Sequence, residues 1–140
     1  MTSYKGLSQG FLDSMLLSAS ATGDFEKTKD LILSDANVNS VGSRTDKYTS
    51  LHQAAQYGRE RITELLLLSG ADPNIVSEYG QTPMMHACYY GQLGVIKLLV
   101  SWGADVKLRD ESGRTAEAIA LHYGYRNVVE YLRSVAEMQI

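Results

Sequence analysis

Gly58, Gly91 and Gly124 lie 33 residues apart, and so do Thr49, Thr82 and Thr115. Gly70-Ala71-Asp72 returns 33 residues later as Gly103-Ala104-Asp105. Between these markers run apolar groups in matching register: Ile62 with Leu65, Leu66 and Leu67, Val95 with Leu98, Leu99 and Val100, and Val128 with Tyr131 and Leu132. Their spacing is that of one helical face. Several interleaved columns in one register mark an internal repeat, and a period of this length is that of a stacked array. One such unit cannot bury its apolar face alone, so the units must stack and the ends must be capped.

An eroded earlier copy is visible. Gly23 precedes Gly58 by 35 residues, and Ala36-Asn37-Val38-Asn39 precedes Ala71-Asp72-Pro73-Asn74 by the same interval. The two extra residues fall in the polar stretch 40–48, where insertion into a surface loop costs little. The apolar run Phe11 to Ala21 loosely imitates a secretory leader, but Asp13 interrupts it. We read it as the first helix.

Within a unit the residue types predict a helix pair. The threonine is an N-cap, and Pro83 at the next position loses no needed hydrogen bond. Ala54 and Ala55 let an inner helix lie close to its neighbours. Gly58 ends that helix, the leucines form an outer helix, and Gly70 and the Ala-Asp-Pro-Asn segment turn the chain. Thr49-Ser50-Leu51-His52-Gln53-Ala54-Ala55, Gly58 and Gly70-Ala71-Asp72-Pro73-Asn74 together resemble the ankyrin repeat. Thr82-Pro83-Met84-Met85-His86-Ala87-Cys88 is a second close match, and the unit from Thr115 a weaker one. The resemblance implies an all-α solenoid of four stacked helix-turn-helix units with β-hairpin-like loops. The units fall at about 11–43, 44–76, 77–109 and 110–136, with tails at 1–10 and 137–140. It also implies a structural role for His52, which would hydrogen-bond the backbone beside it.

Composition narrows the function. The chain of 140 residues carries a net charge of −3, which argues against a broad basic face for nucleic acid. No run is long and apolar enough for a membrane span. One cysteine excludes an intrachain disulfide and a Cys-rich zinc site, and fits a reducing compartment. Cys88 aligns with Ala55 as a small buried hydrophobe. No phosphate-binding loop, zinc-protease motif or nucleophile elbow occurs. His52, His86 and His122 fall in different columns, so no shared metal is expected, and no cofactor.

The informative positions are those that folding does not require. One column between the small pair and the glycine holds Thr22, Tyr57, Tyr90 and Tyr123, and the other holds Ala21, Gln56, Tyr89 and His122. In the family's architecture these project toward a concave groove, and the three tyrosines should stand above one another, ~8–10 Å apart. The loop tips add Tyr48 and Tyr79, near Asp46, Glu78, Glu111 and Arg114. Trp102 closes an outer helix. We therefore expect a non-catalytic, monomeric interaction module. It would bind a protein or peptide through Tyr48, Gln56, Tyr57, Tyr79, Tyr89, Tyr90, Trp102, Arg114, His122 and Tyr123. The acidic tips favour a partner carrying Lys or Arg. Cytoplasm is the expected location, with the nucleus as the alternative. The rival readings are a recognition domain of a larger enzyme or assembly, and a small-molecule groove in which Glu78, Glu111, His122 and Tyr123 do acid–base work.

Overall fold

The computed structural model describes residues 4–42 and 47–139. Its elements are four helix pairs: α1 (Gln9–Thr22) with α2 (Phe25–Leu33), α3 (Ser50–Gln56) with α4 (Glu60–Leu68), α5 (Pro83–Tyr89) with α6 (Leu93–Ser101), and α7 (Ala116–His122) with α8 (Arg126–Met138). No strand occurs among the described residues. The odd-numbered helices pack on one another in sequence as an inner layer, and the even-numbered ones cover them as an outer layer.

Each inner helix starts as its capping residue dictates. The hydroxyls of Thr49, Thr82 and Thr115 accept from the backbone N–H groups of His52, Met85 and Ala118. Small residues then let the inner layer close: Ala54, Ala55, Ala87, Cys88 and Ala120 are buried completely. The outer layer contributes Leu31, Leu66, Leu99 and Leu132 to one continuous core. Burial pushes the Cys88 thiol up to about 12, so it stays protonated and apolar in character.

A periodic polar bond ties each unit to the one before it. Arg59, Gln92 and Tyr125 are the N-cap residues of α4, α6 and α8. Their side chains reach back to the carbonyls of Ala21, Gln56 and Tyr89, at 3.1, 3.1 and 3.3 Å. Those carbonyls belong to the last turn of the preceding inner helix, where no intrahelical donor remains. The same three side chains lie over Gly23, Gly58 and Gly91, where any Cβ would meet them at about 3 Å or less. At Gly58 the φ of +68° adds the usual left-handed requirement.

The connecting tips are turns rather than paired strands. Ser77 N–H donates to the Gln81 carbonyl, Asp110 N–H to that of Arg114, and Gly42 N–H to that of Tyr48. Asn39 and Asn74 accept from the N–H groups of Asp72 and Asp105 in the following unit. Both ends are more ordered than tails. Ser8 caps α1 and Tyr4 is buried in the core, while Gln139 bonds the backbone of Ala104 and Val106. Asp13, which breaks the apolar run of α1, accepts from Asn37 N–H at 2.7 Å.

His52 completes a capping box in which an imidazole stands where glutamate or glutamine is usual. Thr49 N–H can only donate, so the Nδ1 it meets at 3.1 Å is the unprotonated nitrogen. Nε2–H then donates to the Gln81 carbonyl at 2.8 Å. The bond from Thr49 N–H is the backbone bond beside His52 that the resemblance implies, and the Nε2 bond adds a link into the next unit. His86 presents Nδ1 to Gln56 Oε1 at 3.1 Å, while its buried Nε2 has no partner among the described residues. The two rings sit edge to face with centroids 4.9 Å apart. Their different columns had suggested separate locations. A shift of one column with one repeat, 34 residues, brings them into contact.

Two predictions follow from this packing. Leu66 and Leu99 occupy one register position and are wholly buried. Either change to Ala should cost ~2–5 kcal/mol in denaturant unfolding, and a loss under ~1 kcal/mol would contradict the core assignment. The second concerns pH. Burial lowers His52 to about 4 and lowers His86 to about 3, the latter helped by neighbouring His52. The unfolded chain therefore binds protons first as pH falls. Stability is complete above the free imidazole value of ~6.5 and declines below it. Between pH 7 and 5 each histidine should remove about 2 kcal/mol, measured by denaturant titration, and His86→Asn should remove its own share of that slope.

Candidate interaction face

Tyr57, Tyr90 and Tyr123 are the C-cap residues of α3, α5 and α7. A C-cap residue stands at the frayed end of its helix, where its side chain has left the packed layer. They are 49%, 57% and 51% exposed, high values for tyrosine in a folded chain. Tyr90 makes no side-chain hydrogen bond or ring contact among the described residues. Tyr57 has the Arg59 guanidinium 5.9 Å from its ring centre. Tyr123 turns sideways: its ring meets that of Tyr89 at 5.6 Å and that of His122 at 4.9 Å. The third tyrosine thus leans onto the neighbouring column.

Gln56, Tyr89 and His122 occupy the neighbouring position, with different outcomes. Gln56 is half-buried, its side chain held by His86 and its carbonyl by Gln92. It braces the stack. His122 is exposed. Tyr89 is half-buried and leans toward the N-terminus of its own helix, as helical side chains do. Its hydroxyl oxygen accepts from Gln81 Nε2 at 3.0 Å and from Arg114 Nη2 at 2.9 Å.

The tips also divide. Tyr48 does not stand open at a tip. Its half-buried ring stacks on His52 at 5.7 Å and meets His86 edge-on at 4.5 Å, because the small side chains of the inner helices leave room there. Tyr79 is 58% exposed, and its carbonyl accepts from Glu111 N–H of the next tip. Glu78 is paired with Lys47 at 3.4 Å, so the tips are less acidic than the sequence suggests. Asp46 lies outside the described residues. Trp102 is the C-cap of α6. Outer helices run antiparallel to inner ones, which puts Trp102 at the opposite end of its helix pair from the C-cap tyrosines.

Arg114 is the most connected of the candidates. Its Nε and Nη2 both engage Asp110 Oδ2 at 3.0 Å. The Asp110 carboxylate is buried and also accepts the N–H groups of Ser112 and Arg114 through Oδ1. The adjoining Tyr89 oxygen raises the Arg114 pKa above its ordinary value, burial opposes this, and Asp110 raises it further. Gln81 and Asp110 were missed in the sequence. A signal was present: Tyr48, Gln81 and Arg114 form a 33-residue column of their own, each just before a capping threonine.

Two clefts lie elsewhere on the stack. One of about 470 Å³ runs between the outer helices α4 and α6, lined by Glu60, Arg61, Glu64, Gly94, Lys97 and Leu98. Another of about 390 Å³ lies at the free side of the last unit, between Leu121 and Arg133. Neither contains a tyrosine. Among the described residues no three His, Cys, Asp or Glu side chains are grouped to hold a metal ion, and no helix is long and apolar enough to cross a membrane.

The model of the family described as ankyrin repeats (3 copies) matches residues 15–110 and 51–140. The human 2-5A-dependent ribonuclease is 38% identical over 73 residues, 52% of this chain and 10% of that protein. Its mouse counterpart is 39% identical over 75 residues, 54% of this chain and 10% of that protein. The chain therefore spans about a tenth of these relatives. With the repeat matched across nearly the whole chain and four helix pairs stacked in its register, this protein belongs to the ankyrin-repeat family.

Proposed function

We propose that this chain is a non-catalytic interaction module that binds a protein or peptide across the face formed by Tyr57, Tyr90, Tyr123, His122 and Tyr79. Ankyrin repeats are generally protein-interaction modules, which gives the class. The observation that carries the reading is the set of C-cap tyrosines. Each is about half exposed, and the central one is free of any intramolecular bond among the described residues. Tyrosine offers a large rigid contact area at low entropic cost, and it is enriched at binding hot spots. A preformed stack needs little rearrangement to bind, so the contacts convert efficiently into affinity. Trp102, at the far end of its helix pair, extends the contact only for a partner that wraps round the tips. Glu111, exposed at those tips, favours Lys or Arg on the partner's side, whereas Glu78 is already paired with Lys47. The buried, protonated thiol of Cys88 suits a reducing compartment, and we place the protein in the cytoplasm or nucleus.

The relatives favour a second reading. Both are ribonucleases of which the matching stretch is a tenth, so a repeat array of this kind can be the recognition segment of a larger enzyme. In that setting the same face would carry the contact.

Tyr90→Ala separates binding from folding. An exposed substitution changes stability by ~0.5 kcal/mol or less, whereas a hot-spot tyrosine is worth ~2 kcal/mol or more in binding. The melting temperature should hold while affinity for a partner captured by the wild-type chain falls tenfold or more. Loss of the fold with affinity per folded molecule intact would reassign Tyr90 to packing.

A further inference from the structure

We infer that Tyr89 and Arg114 form a subsite that takes a carboxylate side chain, Asp or Glu, from the bound peptide or protein. The inference rests on the interaction face proposed above and fixes the chemistry of one point on it. It follows from counting hydrogens. A tyrosine hydroxyl has two lone pairs and one hydrogen. Both lone pairs of Tyr89 are occupied, by Gln81 Nε2 and Arg114 Nη2. The hydroxyl hydrogen must therefore point in a third direction, where the described residues offer no acceptor. Turning the Gln81 amide over would move the free hydrogen from the hydroxyl to the amide and leave the same excess of donors.

Arg114 adds to that excess. Nε–H goes to Asp110 Oδ2, Nη2 donates to Tyr89, and Nη2 also lies 3.0 Å from Asp110 Oδ2 as an ion pair. Both hydrogens of Nη1 remain, on a side chain that is 45% exposed. The buried Asp110 carboxylate is saturated by donors of its own loop, so it holds the guanidinium in place and cannot fold outward to meet Nη1. The result is a rigid edge of N–H and O–H hydrogens with the Tyr123 ring beside it and His122 next to that ring.

Asp110 already balances Arg114, so the cluster attracts by oriented donors rather than by net charge. That suits a singly charged planar group and disfavours a phosphate, which brings nearly twice the charge to a site with one cation already neutralised. Charge-assisted hydrogen bonds of this kind are about twice as strong as neutral ones. The aromatic edge of Tyr123 gives an apolar side chain next to the acid a surface to lie on.

The test uses the full chain, labelled with nitrogen-15, and two probe peptides, acetyl-Ala-Leu-Glu-Leu-Ala-amide and the same peptide with Gln for Glu. The Glu peptide should shift the Arg114 side-chain N–H and the backbone amides of Tyr89 and Tyr123, and should bind roughly tenfold more tightly than the Gln peptide. Tyr89→Phe keeps the ring and removes the hydroxyl, and should erase most of that preference. Arg114→Lys, which keeps the charge and loses the fork, should do the same and guards against a folding defect in the first variant. Equal binding of the two peptides, no saturable shift at millimolar peptide, or an equal shift with sodium phosphate would overturn the carboxylate assignment. Shifts at Tyr57 and Tyr90 without any acid preference would leave the face standing and remove only this subsite. Shifts confined to α4 and α6 would remove both.

Discussion

A single helix pair of this chain has an apolar stripe on each side and only one partner helix to cover it. Everything else follows from the need to find the second cover in the neighbouring unit. The core leucines Leu31, Leu66, Leu99 and Leu132 meet across unit boundaries, and the small inner residues from Ala54 to Ala120 set how closely the units approach. Stacking then creates a polar problem, because the last carbonyls of each inner helix are turned toward the next unit. Arg59, Gln92 and Tyr125 answer it with three different side chains that share only a donor and enough length. Hydrophobic burial supplies the driving force, and this ladder specifies the register in which it acts.

The same arrangement explains where a surface is left over for binding. Capping uses the start of each inner helix, packing uses its middle, and the ladder uses its last carbonyl. The side chain at the C-cap has none of these duties. Three units place a tyrosine there, and only the last finds an aromatic neighbour, Tyr89. Two tip residues, by contrast, are drawn into structure: Tyr48 packs against His52 and His86, and Arg114 is locked by Asp110. The structure thus separates side chains that hold the stack from those that face outward.

The fold was legible because its determinants are local and periodic: capping threonines, small pairs, turn glycines and leucine stripes each recur at 33 residues. The first unit was readable from Gly23 and Asn39 even though its sequence has drifted, since a left-handed turn and a cross-unit side-chain bond constrain those two positions most. What the columns did not reveal were contacts that run diagonally. Single-column reading kept His52 apart from His86 and did not reveal the contact of Tyr123 with Tyr89. The real neighbours lie one column and one repeat away, because successive units are offset along the stack. Tyr4 and Gln139 were read as tail residues because they sit outside the repeat, yet one is buried in the core and the other bonds the backbone of Ala104 and Val106. Gln81 shares a 33-residue column with Tyr48 and Arg114, but its bond is to a hydroxyl eight residues on, a partner that the column does not point to.

The central claim is that the chain binds through the C-terminal ends of its inner helices and not through its outer layer. Hydrogen–deuterium exchange of the full chain, alone and with a captured partner, tests it most directly. The account predicts slowed exchange at residues 56–58, 89–91 and 122–124, with α4 and α6 unchanged. Slowed exchange confined to α4 and α6, with the tyrosine positions unaffected, would contradict it.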